Sequence, residues 1–405
     1  MEEETPEEFG ARKFGKAVEI LNHAVRERAF PGGVLAIGHD NELAILPVGR
    51  LSYDADSAPV TPETIYDIAS LTKVVATATA AMILVERGML ALDDSVTRYV
   101  PEFVEPYDVA TDPLWTARSE VTVRHLLAHT AGLPAYEKFF LRAREKAHVL
   151  EEALLLPLEE PPGLRTLYSD VGFILLGEIL ERVSKERLDS FCGREIFEPL
   201  GMRQTCFNPP QELRERIAPT EFDQTFRRRL VWGEVHDENA WVMGGVAGHA
   251  GLFATAGDLG RFCRMMLGEG KIEGERMAGG LERGPNTQQL IQPETVREFT
   301  RPSFAKASEG RPSYDEASEG GAAAGTPRGL GWDKPSEASS SGRYFSAASY
   351  GHLGYTGTSV WIDPEKSLYV ILLTNRVHPT RANEAIRAVR PALHDAVVES
   401  IQAAG

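Results

Sequence analysis

The chain has 405 residues, 42% of them hydrophobic and 25% charged, which suits a globular protein with a sizeable core in one large domain or two intimate ones. Its 59 acidic and 43 basic residues leave a net charge of −16, which repels phosphate and argues against nucleic acid or an anionic membrane surface as a partner. The three cysteines, Cys192, Cys206 and Cys263, lack CxxC spacing, so neither a disulfide framework nor a thiolate centre is indicated.

The opening residues, MEEETPEEFGARKFGKAVEIL, are acidic and contain no apolar signal-peptide core, so a cytoplasmic location is the expectation. The apolar positions Phe14, Ala17, Val18, Ile20, Leu21, Ala24 and Val25 predict an amphipathic helix over 9–29. GGVLAIG and ELAILPVG flank HDN and predict a β-hairpin. A second hairpin is predicted near the other end, where TSVWIDP and SLYVILLTN flank DPEK. A last helical stretch follows from Thr380, with an expected interruption at Pro391.

Strands at both ends of the chain and a helical, loop-rich middle predict an α+β fold. An antiparallel sheet built from both termini is flanked by helices, and a large, mostly helical domain is inserted. The expected division is 1–88 with 340–405 for the sheet domain and 89–339 for the helical one. Residues 303–327, in which KASEG and EASEG recur among Ser, Gly and Ala, hold too little apolar surface to offset their ordering entropy. They are expected to form a mobile insertion without chemistry.

The most informative stretch is YDIASLTKVVATATAAMILVERG, Tyr66 to Gly88. Its longest apolar run, Val74 to Val85, is too short to span a bilayer. Residues three apart on a helix share a face, so Ser70 and Lys73 point the same way near a helix N-terminus. A serine hydroxyl is a poor nucleophile until a base takes its proton. A lysine among Val74, Val75 and other apolar neighbours loses hydration, its pKa is expected to fall, and the neutral amine is such a base.

The stretches SLTKVVATATAAMILVERGMLALDDSVTRYVPEF, VTVRHLLAHTAGLP, YSDVGFILLGEILE and GHLGYTG stand in that order. Together they resemble the serine β-lactamase and penicillin-binding-protein superfamily, in particular its branch of class C β-lactamases, D-alanyl-D-alanine carboxypeptidases and family VIII esterases. The resemblance runs from about Gly32 to Pro379, outside the insertion. It implies a serine hydrolase working through an acyl-enzyme on Ser70, with Lys73 as proton acceptor or relay and no cofactor or metal. It implies that the Tyr168 phenol reaches Ser70 and the leaving group, with a pKa lowered by the neighbouring ammonium. Asp170 stands where class C enzymes carry asparagine; an aspartate there holds Lys73 protonated and favours Tyr168 as the base.

The third motif reads His352-Leu353-Gly354 in place of Lys-Thr-Gly. The resemblance puts it on the strand edging the site, with His352 and Gly354 at the substrate and the Tyr355 N–H joining that of Ser70 as the oxyanion donors. A histidine is mostly neutral at pH 7 and Leu353 lacks a hydroxyl, so an ester is preferred over a β-lactam, and a β-lactam over a D-amino-acid peptide. Arg376, in LLTNRVHP, is a candidate anchor for a substrate carboxylate.

The stretch 233–262 is expected to close a wall of the pocket. Its His236, Asp237, Glu238 and His249 lack the spacing of a zinc site, so a wall role outweighs a metal one. His125 and His129 are expected to be structural, tying a turn at Gly132. Two other readings remain: a β-lactamase or D-alanyl-D-alanine carboxypeptidase or D-aminopeptidase, and a sensor module that is acylated by penicillin without turnover.

Overall fold

The computed structural model describes residues 6–40, 42–104, 114–272, 288–303, 328–336 and 339–404. The two predicted hairpins are present as Gly32–His39 with Glu42–Gly49, and Thr358–Asp363 with Leu368–Thr374. They join edge to edge, because Gly32–His39 pairs antiparallel with Leu368–Thr374 from Gly33 opposite Thr374 to His39 opposite Leu368. Tyr350–Gly354, the strand of the third motif, pairs with Thr358–Asp363 and completes a five-stranded antiparallel sheet.

Strand alternation sorts the side chains of this sheet onto two faces. Leu35, Ile37, Trp361, Val370 and Leu372 lie on the outer face with Phe14, Leu21, Leu393 and Val397 from the terminal helices. Val34, Ala36, Val360, Ile362, Ile371 and Leu373 lie on the inner face, in one continuous cluster with the buried residues of the inserted region.

The terminal helices depart from expectation. The predicted helix over 9–29 is two helices, Pro6–Lys13 and Gly15–Arg26. Phe14 leaves helical geometry between them, at φ −116° and ψ 35°, and is 1% exposed in the outer core. The last helix starts at Ile386, later than Thr380, and passes through Pro391 without interruption to Ala404. Proline removes one backbone donor, and burial of Leu393, Ala396 and Val397 against the sheet outweighs that loss.

The Ser70 segment crosses the middle of the protein. It is a 3₁₀ turn over Ala69–Leu71, a wider π-helical stretch over Lys73–Ala78 and an α-helix over Thr79–Glu86. By length and composition Ala69–Glu86 is apolar enough to cross a membrane, but 83% of it is buried inside the protein, as a core helix is. Its few polar groups bond backbone of the glycine-rich stretch 244–251 and its neighbour. Thr77 Oγ1 donates to Gly248 O at 2.6 Å, and Thr72 Oγ1 accepts from Leu252 N at 3.1 Å. Only glycine fits at 248, where a Cβ would stand 2.2 Å from Phe173 O.

A small sheet missed by the sequence reading fixes the start of this segment. Leu252–Ala254 pairs with Tyr66–Asp67 on one side and Cys206–Phe207 on the other.

The proposed insertion lies outside the described residues apart from its first, Ser303. Ser303 donates its N–H and its hydroxyl to Arg328 O, at 2.8 and 2.7 Å. The flanks of the segment therefore meet, and a short bridge can replace it at little loop-closure cost. Replacing residues 304–327 with a Gly-Ser linker is expected to leave Tm within about 3 °C and kcat within about twofold of the parent. A thermal melt and an ester assay check this, and a large loss of either quantity would show that the segment packs against the site.

Candidate active site

Ser70 sits on a strained turn. Ala69 before it has φ +47°, a region that a residue with a Cβ seldom occupies. Asp67, 2% exposed, holds the turn by accepting Ala69 N at 2.8 Å and His236 N at 2.6 Å. Thr356 Oγ1 donates to Asp67 O at 2.7 Å and Thr358 Oγ1 to Ile68 O at 3.1 Å, which clamps the third-motif hairpin against the same turn. Gly354 is required at that contact, since a Cβ there would lie 2.5 Å from Ile68 O and 2.0 Å from Thr358 Oγ1.

Lys73 is fully buried. Its ammonium donates to Ser70 Oγ at 2.9 Å and to His249 O at 3.0 Å, and it forms an ion pair with Asp170 Oδ1 at 2.7 Å. Burial pulls the lysine pKa down, but the charge of Asp170 and the phenol of Tyr168 more than offset it, and the net shift is upward. The expected neutral amine is thus corrected: Lys73 is an ammonium, held so by Asp170. Asp170 is the first residue of the helix Asp170–Ser184, where the helix dipole favours its negative charge. Ser169 caps the same helix, accepting Gly172 N at 3.1 Å.

Tyr168 lies beside this pair and is 8% exposed. The Lys73 ammonium is 4.9 Å from its ring centroid. Its hydroxyl has Lys73 and Ser70 as neighbours but makes no well-aligned hydrogen bond. The expected lowering of its pKa is corrected as well. Burial raises it and outweighs the pull of Lys73, and Asp170 adds to the rise.

His129 packs at a tilt against Tyr168, with ring centroids 4.5 Å apart, and its Nδ1 accepts Ser169 N at 3.0 Å. His125 Nδ1 accepts Thr122 N at 3.2 Å in a reciprocal cap of the helix Val123–Leu127. Both histidines are structural, as expected, but their side chains cap a helix and hold Ser169 rather than tie the turn at Gly132.

Ser70, Tyr168, Asp170 and Tyr355 line one cavity of about 840 Å³ with His236, Asp237, Glu238 and His249. The stretch 233–262 therefore does form a wall. Its acids and histidines pair with neighbours: His236 Nε2 lies 3.0 Å from Glu221 Oε2, and His249 Nε2 lies 2.9 Å from Asp237 Oδ1. Among the described residues no group of three His, Cys, Asp or Glu is placed to hold a metal ion.

Three expected substrate contacts, His352, Gly354 and Arg376, are not in that lining; Gly354 packs against the Ser70 turn instead. His352 is wholly buried behind the cavity, its ring 5.9 Å from that of Tyr168 and its Nδ1 2.7 Å from Leu353 O. Burial first, then the charges of Lys73 and Arg328, push it well below the ordinary histidine value, so it is neutral. Arg376 is also buried. It donates Nε to Tyr355 O at 2.9 Å and Nη1 to Arg381 O and Asn383 O at 2.8 and 2.7 Å, so it braces the Tyr355 loop from behind.

Among the described residues three cations line the cavity, Lys138, Arg165 and Arg381, and the sequence reading passed over all of them. Arg165 pairs with Glu160. Arg381 donates to Glu221 Oε2 and Glu238 Oε1, both at 2.6 Å, so two carboxylates already neutralise it. Its one sequence signal is its place just beyond Arg376, where the chain leaves the last strand. Tyr136, likewise unremarked in the sequence, also lines the cavity.

The bracing role of Arg376 has a measurable consequence. Arg376→Ala is expected to lower stability by at least about 1.5–3 kcal/mol, the worth of one hydrogen bond to a charged group. It is expected to lower ester and β-lactam turnover alike. Thermal denaturation and kcat/KM for p-nitrophenyl butyrate and nitrocefin check this. Selective loss of nitrocefin turnover would return Arg376 to the role of carboxylate anchor.

A family model described as Beta-lactamase matches residues 17–394. A protein named "Putative D-alanyl-D-alanine carboxypeptidase" from Escherichia coli (strain K12) is 32% identical over 413 residues, covering 92% of this chain and 86% of that one. Among solved structures, a penicillin-binding protein homologue from Caulobacter crescentus superposes with a TM-score of 0.70 at 20% identity, covering 96% of this chain and 97% of that one. EstCE1, a hydrolase with promiscuous acyltransferase activity, gives 0.69 at 21% identity, covering 96% and 99%. Likeness at such identities shows the fold alone.

Proposed function

Since the chain belongs to the β-lactamase family and is a serine hydrolase, we propose that Ser70 is its nucleophile and that it cleaves small esters or amides through an acyl-enzyme. The observation that carries this reading is the 2.9 Å bond from the Lys73 ammonium to Ser70 Oγ, at the wall of a cavity shared with Tyr168 and Tyr355.

The proton path follows from that bond. Lys73 donates to Ser70 Oγ, so the serine's own proton is directed elsewhere, and Tyr168 is the neighbouring group able to take it as phenolate. Ser70 Oγ then bonds the substrate carbonyl carbon, and the oxygen gains the negative charge. The N–H groups of Ser70 and Tyr355 receive that oxyanion. Tyr168 returns the proton to the leaving alcohol or amine as the old bond breaks, and a water repeats the steps to release the acid.

A fluorophosphonate is expected to label Ser70, and Ser70→Ala to abolish labelling; peptide mapping that finds another site would overturn the assignment. Tyr168→Phe should cost about 10²–10⁴-fold in kcat. The active form is the phenolate, and burial raises the pKa of the phenol, so kcat/KM should climb with pH from about 7 toward 10. A plateau reached below about pH 7 would exclude Tyr168 as the base.

For substrate class, an ester without a carboxylate is preferred. His352 supplies no positive charge on the third-motif strand and Arg376 is not in the cavity lining; of the cations that are, Arg381 is paired with Glu221 and Glu238, Arg165 with Glu160, and Lys138 is exposed to solvent. Carboxypeptidase activity on D-alanyl-D-alanine peptides is the second reading, supported by the name of the 32% identical relative. We expect kcat/KM for p-nitrophenyl butyrate to exceed that for nitrocefin by at least about tenfold, or about 1.4 kcal/mol. A panel of these two with a D-alanyl-D-alanine peptide decides, and faster turnover of nitrocefin or the peptide would reverse the order.

A further inference from the structure

The function proposed above needs Tyr168 as a phenolate, and burial opposes that charge. Within the third motif, His352 contributes a neutral ring. A cation nevertheless stands against the tyrosine, from a part of the chain outside every motif. The Arg328 guanidinium lies 5.1 Å from the Tyr168 ring centroid and is 3% exposed.

The backbone explains how it arrives there. Arg328 pairs as a β-bridge with Asp333, and Asp333 pairs in turn with Gly351, the residue before His352. Asp333 N donates to Gly351 O at 2.8 Å and Gly351 N to Asp333 O at 3.0 Å. A short rung is thus added outside the third-motif strand, and it delivers the guanidinium to the tyrosine that His352 flanks. Arg328 Nη1 is 2.5 Å from Asp333 Oδ1, and both side chains are buried.

We infer that Arg328 stands in for the absent third-motif lysine: its charge, held in place by Asp333, favours the Tyr168 phenolate as Ser70 gives up its proton. It acts through Tyr168, which makes it a positioning residue.

The groups facing Tyr168 leave it few rivals. Lys73 and Asp170 face it from the cavity side and pair with each other. His129 and His352 flank the ring. Burial first, and then the nearby charges of Arg328 and Lys73, push both histidines well below their ordinary value, so neither carries charge near neutrality. Asp333, the ion-pair partner of Arg328, is pushed up to about 6 by burial against the pull of Arg328 and Lys73. It is an anion at neutral pH, and it partly compensates the arginine.

The inference rests on Tyr168 as proton acceptor, and its test keeps the two claims apart. The measurement is kcat and KM for p-nitrophenyl butyrate against pH, with Tm, for the parent and four variants. Asp333→Asn leaves the arginine charge uncompensated and should move the rising limb to lower pH by at least about half a pH unit. Arg328→Met with Asp333→Asn removes both charges without stranding either. It should move the limb to higher pH, with KM little changed, and kcat at about pH 7 should fall roughly tenfold for every pH unit the limb moves. Arg328→Lys should keep the limb near that of the parent. A limb that stays in place while Tm falls, or that moves the same way in Asp333→Asn and the double variant, overturns the inference and leaves a purely structural pair. Should the double variant fail to fold, the direction in which Asp333→Asn moves the limb decides alone. Tyr168→Phe is the separate control: if it retains most activity, the proton-acceptor reading falls and this inference with it.

Discussion

The Lys73 ammonium is wholly buried beside Val74 and Val75, and a charge so placed costs several kcal/mol of lost hydration unless acceptors replace the water. Two oxygens accept its protons and a carboxylate pairs with its charge, and these partners come from three separate parts of the chain: Ser70 on its own turn, His249 in the glycine-rich wall and Asp170 at a helix start. The charge is therefore stable only when those parts are assembled. Removing a partner from such a pair typically costs about 3–5 kcal/mol, so the contact that reaches Ser70 also binds the inserted region to the sheet.

The rest of the architecture holds that assembly in register. The core helix puts Thr72 and Thr77 against the backbone around Gly248, and glycine lets the two chains approach. Asp67 ties the strained Ala69 turn to the wall through two backbone N–H groups, and Thr356 and Thr358 tie it to the hairpin of the third motif. Ser70 and Tyr355 face one cavity because these bonds leave the two loops little freedom relative to each other. Three buried cations, Lys73, Arg328 and Arg376, stand around it: the first meets Ser70, the second Tyr168, and the third the carbonyl of the Tyr355 loop.

Much of this was legible in the sequence. Both hairpins were, because strand alternation and turn residues are local signals, and so was the pairing of Ser70 with Lys73, which depends on helical spacing. The salt link from Asp170 to Lys73 was legible from the departure of that motif from asparagine. The small sheet around Leu252–Ala254 was not, because strands of two or three residues carry no periodic pattern. The passage of the last helix through Pro391 was not either: local propensity predicts a break, and packing of the helix on the sheet overrides it. Arg376 and Arg381 show the same limit at the site. Both follow the last strand, and only their tertiary neighbours decide that one braces a loop while the other meets the cavity.

By itself the sequence determined which groups are present and in what order: a serine and a lysine on one turn, a tyrosine two residues before an aspartate, a histidine in place of a lysine, and strands enough at both ends to build one sheet. The tertiary structure decided how strongly each is held in its charge state and, for Tyr168, in which direction its pKa shifts. Ionisation depends on hydration and on charges within a few ångströms, and those neighbours come from distant parts of the chain. Desolvation by Lys73's own apolar neighbours favoured the amine, and Asp170, brought in from another helix, made it an ammonium. Burial raised Tyr168 where its motif suggested lowering, and the arginine beside it came from a segment that carries no motif.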